Sequence, residues 1–266
     1  MEVKGIIFDW AGTVVDYGCM APTQVFTEVF KDRGIHISMA EARGPMGLAK
    51  KDHVKALLEL EPVKTQWLYV YKRLPNEDDL NDIYEQLEPK LVAIVDQFAE
   101  VIPGVIEFCD EMKQQGVKLG STTGYMLPMM EKIIPLAKVQ GFVPDAVVTS
   151  SDKSFGRPQP WMMYENAERL GIFPPSSVVK IGDTVADIKE GLNAGAWTIG
   201  LTTCGNEVGL SLDEVKVCDP DQLEGKISDA ARKLEAAGAH YVAESVADCR
   251  PIIADINRRI INGEKP

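Results

Sequence analysis

The hydrophobic positions of this chain fall into two rhythms. One consists of short apolar runs, each stopping at a polar turn: Val3–Phe8, Val117–Ser121, Ala146–Thr149, Val178–Gly182, Ala196–Leu201 and a late run near Ala239–Val242. Near-continuous apolarity, rather than alternation, is how strands buried on both faces read. The other rhythm is a helical stripe between these runs, from Ile102-Pro103-Gly104 to about Gln115, over Met126–Gln140 and Trp161–Leu170, after Asp183 to Gly195, and in a C-terminal segment to about Ile261. Strands alternating with helices of this length predict an α/β fold with a Rossmann-like, doubly wound parallel sheet.

One long stretch breaks the alternation. After the first run the text is helical, with Val25, Val29 and Phe30 on one stripe that ends at Gly34 and further helices over Leu48–Leu60, Gln66–Arg73 and Leu80–Phe98. No strand pattern interrupts them, so residues 18–99 are expected to form a helical cap domain inserted into a core of residues 1–17 and 100–266. The charged run Pro75–Asp79 reads as a solvated loop between two cap helices.

The polar turns carry the candidate chemistry. Asp9 ends the first run ahead of Gly12-Thr13, and Ser121-Thr122-Thr123-Gly124-Tyr125 ends the second. Gly156-Arg157-Pro158 places a cation before a helix, and Gly182-Asp183-Thr184 is followed by Asp187. Ligands of open α/β sheets bind beyond the carboxyl ends of the strands, where these residues would gather. A single strand-ending Asp fits a helix cap equally well; the ordered set of four does not. It resembles the haloacid dehalogenase-like phosphotransferases over most of the chain. The resemblance implies that Asp9 attacks phosphorus to form an aspartyl-phosphate, that Asp9 and Asp183 hold Mg²⁺, that Arg157 and Thr123 cradle the phosphoryl oxygens, and that Asp187 supports them.

Position 11 departs from that pattern. Many such phosphatases carry a second Asp two residues after the nucleophile, as a proton donor to the leaving oxygen, and here it is Ala11. A phosphonate has no bridging oxygen to protonate; its carbon leaving group needs an electron sink instead, which a lysine imine provides. A helix starting near Met46 places Met46, Lys50 and His53 on one face, with Lys51 about a hundred degrees away, so Lys50 is the candidate amine. Asp9–Thr13, Asp16-Tyr17-Gly18-Cys19, Met46-Gly47-Leu48, Lys50 and Asp52-His53, with the later turns, resemble the phosphonoacetaldehyde hydrolase family. That resemblance implies Mg²⁺-dependent hydrolysis of a small phosphonate aldehyde by a homodimer. It also implies that Lys50 forms a Schiff base, that His53 moves protons, that the Ala11 carbonyl and Asp183 join Asp9 on the metal, and that Cys19, Met46, Thr123, Gly124, Tyr125 and Arg157 surround the substrate. A phosphate-ester phosphatase or phosphomutase is disfavoured by Ala11, since a positioned acid gives an ester typically ~10²–10⁴-fold. A non-catalytic regulatory relative is disfavoured by the joint presence of Asp9, Lys50, Arg157 and Asp183.

Composition narrows the partners. The 266 residues are 45% hydrophobic, enough for one core and a smaller companion. A formal net charge of −12 argues against nucleic acid or an acidic membrane as partner. The five cysteines (Cys19, Cys109, Cys204, Cys218, Cys249) are scattered without zinc or redox spacing, and no apolar run approaches a membrane span, so a cytoplasmic location is expected.

Overall fold

The computed structural model describes residues 2–266. In chain order the elements are β1 (Gly5–Phe8), α1 (Met20–Lys31), α2 (Met39–Arg43), α3 (Lys50–Leu58), α4 (Glu61–Tyr71), α5 (Glu77–Ile94) and α6 (Val105–Gln114). There follow β2 (Lys118–Thr123), α7 (Leu127–Val139), β3 (Ala146–Thr149), α8 (Trp161–Leu170), β4 (Val178–Gly182) and α9 (Val185–Ala194). β5 (Trp197–Leu201), α10 (Leu212–Val217), α11 (Pro220–Ala236), β6 (Tyr241–Ala243) and α12 (Arg250–Ile261) complete the chain. The six strands are parallel, in the order β3-β2-β1-β4-β5-β6.

That order reverses direction at β1, which lies between β2 and β4, and the crevice of a doubly wound sheet opens at such a switch point. Phe8 pairs with Ile181, and the Asp9 N–H donates to the Ile181 carbonyl at 2.9 Å. Asp9 and Asp183 therefore leave adjacent strands at the same end of the sheet. Beneath them, Phe8 meets Phe108 and Phe142 edge-on at 6.3 and 6.1 Å between ring centroids. Each such buried side chain contributes roughly 1.5–3 kcal/mol by leaving water.

The inserted helices bury their stripes against each other: α1, α3 and α5 pack together through Phe26, Phe30, Val54, Leu57, Ile83 and Leu87, continuous with the apolar core below. The two chain crossings to the insert run side by side, with the Ile102 N–H donating to the Val14 carbonyl at 2.9 Å and Val15 bridging Val101.

Several sequence-based expectations need correction. Pro75–Asp79 faces solvent as expected but is a helix start rather than a loop, because Asn76 caps α5: its Oδ1 accepts from the Asp79 N–H at 3.1 Å while Asp79 Oδ2 accepts from the Asn76 N–H at 2.8 Å. Glu77, Asp78 and Asp79 form the first helical turn, where the helix dipole favours negative charge. The expected helix over Leu80–Phe98 ends at Ile94 and continues as one 3₁₀ turn, Val95–Phe98. α3 starts at Lys50, so Met46 lies before the helix in a turn where Gly47 has φ +86°. α2, α10 and α11 lie where the periodicity argument assigns nothing, although α11 carries Pro220 in its first turn and an Asp219 cap. Among the described residues no helix is long and apolar enough to cross a membrane.

Candidate active site

Nine of the anticipated residues meet in one small cavity. Asp9, Ala11, Cys19, Met46, Lys50, Thr123, Gly124, Tyr125 and Arg157 line it together with Gly47 and Thr184. The free volume is about 20 Å³, room for about one water. Cys19, Met46, Gly47 and Lys50 enter from the helical insert and the remainder from the ends of the strands. The wider groove beside Trp161 and Tyr164 contains none of the anticipated site residues, and that between Asp52 and Gln159 contains Arg157 alone of them.

Lys50 is 3% exposed, with Nζ 4.9 Å from the Tyr125 ring centroid and 5.8 Å from that of Phe26. Burial lowers its pKa to about 8, and the nearby Arg157 charge adds to the effect against the opposing pull of the Asp9 and Asp16 carboxylates. Burial pushes the Tyr125 hydroxyl and the Cys19 thiol well above their ordinary values, so both keep their protons. The Tyr125 hydroxyl is buried without a hydrogen-bond partner, leaving a donor available at the cavity. His53 is outside the lining set. Its Nε2 lies 2.9 Å from the Ala42 carbonyl, its ring stacks on Phe26 at 3.8 Å, and burial next to Lys50 holds its pKa well below the ordinary value.

Arg157 is buried and engages carboxylates on three sides. Nη2 donates to Asp9 Oδ1 at 2.8 Å and Nε to Glu190 Oε2 at 3.0 Å, while Nη1 lies 2.8 Å from Asp187 Oδ1. Lys180, inside β4, lies 3.0 Å from Asp187 Oδ1 and 3.1 Å from Glu190 Oε2 and donates to Thr122 Oγ1 at 2.7 Å. Burial would raise the Asp187 pKa, but Arg157 and Lys180 hold it below the usual carboxylate value. Asp183 goes the other way. Burial, Asp9 and Asp187 raise it, and burial raises Asp9 against the pull of Arg157.

The donor set fits a divalent cation. Carboxylate oxygens of Asp9, Asp183 and Asp187 lie within 4.8 Å of one another. Four buried carboxylates (Asp9, Asp183, Asp187, Glu190) cluster about Arg157 and Lys180, and Asp183 pairs with neither cation. Asp187 meets both cations and the Thr184 N–H and hydroxyl, whereas Asp9 meets Arg157 through Oδ1 alone and Asp183 pairs with no cation, so Asp9 and Asp183 are the carboxylates more open to a metal. Ala11 lines the cavity with Asp9, and its carbonyl, a hard oxygen, accepts no backbone N–H among the described residues.

Residues 3–195 match the family model of haloacid dehalogenase-like hydrolases. A phosphonoacetaldehyde hydrolase-like protein of Syntrophobacter fumaroxidans is 46% identical over 99% of this chain and 95% of its own length. The phosphonoacetaldehyde hydrolase of Nitratidesulfovibrio vulgaris is 44% identical over 99% of this chain and 94% of its own. The chain belongs to the phosphonoacetaldehyde hydrolase family of haloacid dehalogenase-like hydrolases. The crystal structure of a phosphonoacetaldehyde hydrolase-like protein from Oleispira antarctica superposes with a TM-score of 0.98 at 39% identity, covering 100% of this chain and 96% of that one. In this member of the haloacid dehalogenase-like hydrolases, sequence reasoning missed Lys180 and Glu190. One signal was present, since Lys180 interrupts an otherwise apolar strand whose every residue is buried.

Proposed function

We propose that the protein hydrolyses the carbon–phosphorus bond of phosphonoacetaldehyde, giving acetaldehyde and phosphate in phosphonate degradation. The observation that carries this reading is a buried, depressed-pKa lysine, Lys50, lining one small cavity with the strand-end carboxylate Asp9, while Ala11 stands where an ester phosphatase needs an acid.

Lys50 in its neutral form adds to the substrate aldehyde and loses water to give an imine. One carboxylate oxygen of Asp9 then attacks phosphorus. The P–C bonding pair flows into the protonated imine, leaving a neutral enamine on Lys50 and an acyl phosphate on Asp9. Protonation at carbon and addition of water release acetaldehyde and free Lys50; water acting on the acyl phosphate releases phosphate and restores Asp9. Arg157 Nη2, held by Asp9 Oδ1 before reaction, is freed for a phosphonyl oxygen as Asp9 loses its charge. The unpartnered Tyr125 hydroxyl offers a proton to the substrate carbonyl, and Cys19, Met46, Thr123 and Gly124 shape the pocket. His53, stacked on Phe26, acts on proton movement through Lys50 rather than from the cavity wall. Asp9, Asp183 and the Ala11 carbonyl would hold Mg²⁺, which supplies charge neutralisation at the phosphonyl group.

About 20 Å³ is too little for the substrate, so residues 18–99 serve as a lid that lifts for entry and closes to exclude water, hinging near Gly18 and Pro103-Gly104. Leu68, Tyr69, Val70 and Leu74 are exposed on and after α4, and this lid face is the contact of a homodimer. The test is product stoichiometry. With Mg²⁺ and phosphonoacetaldehyde, acetaldehyde and phosphate appear in equal amounts, and simple phosphate esters are turned over far more slowly. Faster release from esters would overturn the reading.

A further inference from the structure

Arg43 closes α2 in the helical insert and reaches into the loop that follows β5. Its Nη1 donates to the carbonyls of Gly18 at 2.6 Å and Asn206 at 3.3 Å and to Asn206 Oδ1 at 3.3 Å. Nη2 donates to the Gly209 carbonyl at 3.1 Å. In return Asn206 Nδ2 donates to the Arg43 carbonyl at 3.2 Å. No carboxylate pairs with this guanidinium among the described residues, so a full positive charge is satisfied by carbonyl and amide dipoles from two other chain segments. The loop is shaped for it. Gly209 has φ +65°, and a Cβ there would stand 2.7 Å from Arg43 Cζ.

Asn206 also faces the catalytic end of the sheet. Its backbone N–H donates to Asp183 Oδ2 at 2.8 Å, and Thr13 Oγ1 donates to Asp183 Oδ1 at 3.2 Å. These two bonds fix the plane of the carboxylate. We propose that Arg43 is a positioning residue: through Asn206 it ties the seating of the helical insert to the orientation of the Asp183 carboxylate. When the insert lifts, Arg43 leaves, Asn206 loses both side-chain partners, and the amide facing Asp183 is free to turn. The site for the cation is then complete only when the insert is seated. An arginine suits the task because its planar fork reaches several oxygens at once, which a lysine ammonium on a flexible stem does not.

The consequence for metal binding rests on the reading of Asp183 as a metal ligand; the Asn206–Asp183 contact does not. The experiment compares the full chain with Arg43→Ala, Arg43→Lys, Asn206→Ala and Asp183→Asn, without substrate. Hydrogen exchange is followed on the peptide containing the Asn206 amide, and Mg²⁺ affinity by calorimetric titration. In Arg43→Ala and Asn206→Ala the Asn206 amide exchanges roughly tenfold faster and Mg²⁺ binds roughly tenfold more weakly, the latter a change of about 1.4 kcal/mol. Arg43→Lys falls between these and the parent. Native exchange at Asn206 in a folded Arg43→Ala or Asn206→Ala protein overturns the coupling, as does native Mg²⁺ affinity in those variants when Asp183→Asn abolishes binding. If Arg43→Ala does not fold, the Asn206→Ala result decides. Native Mg²⁺ affinity in Asp183→Asn refutes the metal reading instead, and the exchange result still decides the coupling.

Discussion

Lys180 Nζ lies 3.0 Å from Asp187 Oδ1 inside the protein, with neither side chain reaching solvent. Together with Arg157 it balances Asp187 and Glu190, while Asp9 shares Arg157 with them and Asp183 meets neither cation. Removing one partner of a buried ion pair strands the other, typically at a cost of 3–5 kcal/mol. Lys180→Met is therefore expected to lower stability by about 3–5 kcal/mol, read from the urea midpoint. Lys216→Met, which breaks the exposed pair with Asp213, should move it by no more than about 0.5 kcal/mol. Equal effects would show that the buried network contributes no more than a surface pair.

Lys50 ties activity to pH. Its pKa is about 8 in the fold against an ordinary 10.5, and only the neutral amine forms an imine. Below pH 8 the rate of imine formation should rise about tenfold per pH unit and level off above it. Because the folded value is depressed, the native state gains stability from this group as pH rises from 8 towards 10.5 and loses it again as pH falls through 8. Lys50→Met should flatten that part of the stability curve. A trapping rate insensitive to pH between 6 and 8 would contradict the assignment.

Gly124 marks where strand end and insert touch. A Cβ there would stand 2.7 Å from the Leu48 carbonyl and 3.1 Å from that of Gly47. Gly124→Ala should hold the insert off its seat, raising KM roughly tenfold, about 1.4 kcal/mol, while the urea midpoint moves little. An unchanged KM would show that closure tolerates the methyl group.

The proposed dimer has an equally direct check. Tyr69 is 78% exposed on α4. Tyr69→Glu should shift the sedimentation coefficient from dimer to monomer while the far-UV spectrum stays the same. A parent protein that sediments as a monomer would contradict the dimer.

Much of the site was legible because a buried parallel strand announces itself as an apolar run and its carboxylate as the break. Asp9 and Asp183 follow from that rule, and the Gly-Arg-Pro turn brings Arg157 to the same edge. Lys180 escaped because one polar residue inside a run reads as noise until its partners are known; Asp187 and Glu190 reach it from α9 only through the fold. The face shared by Met46, Lys50 and His53 was misplaced because a helix start cannot be fixed within a turn by periodicity alone; Gly47, at φ +86°, delays it to Lys50. At the Asn76–Asp79 capping box an exposed charge run reads as a loop although the same residues are a helix-start signal.

If a lid-borne amine and a strand-end carboxylate work on one substrate, borohydride reduction followed by peptide mass analysis catches the amine joined to that substrate. Incubated with phosphonoacetaldehyde and Mg²⁺ and then reduced, the enzyme should lose activity and carry a reduced two-carbon adduct on Lys50, whereas Lys50→Arg should carry none and still bind Mg²⁺. Full activity after reduction, or an adduct on another lysine with Lys50 unmodified, would contradict it.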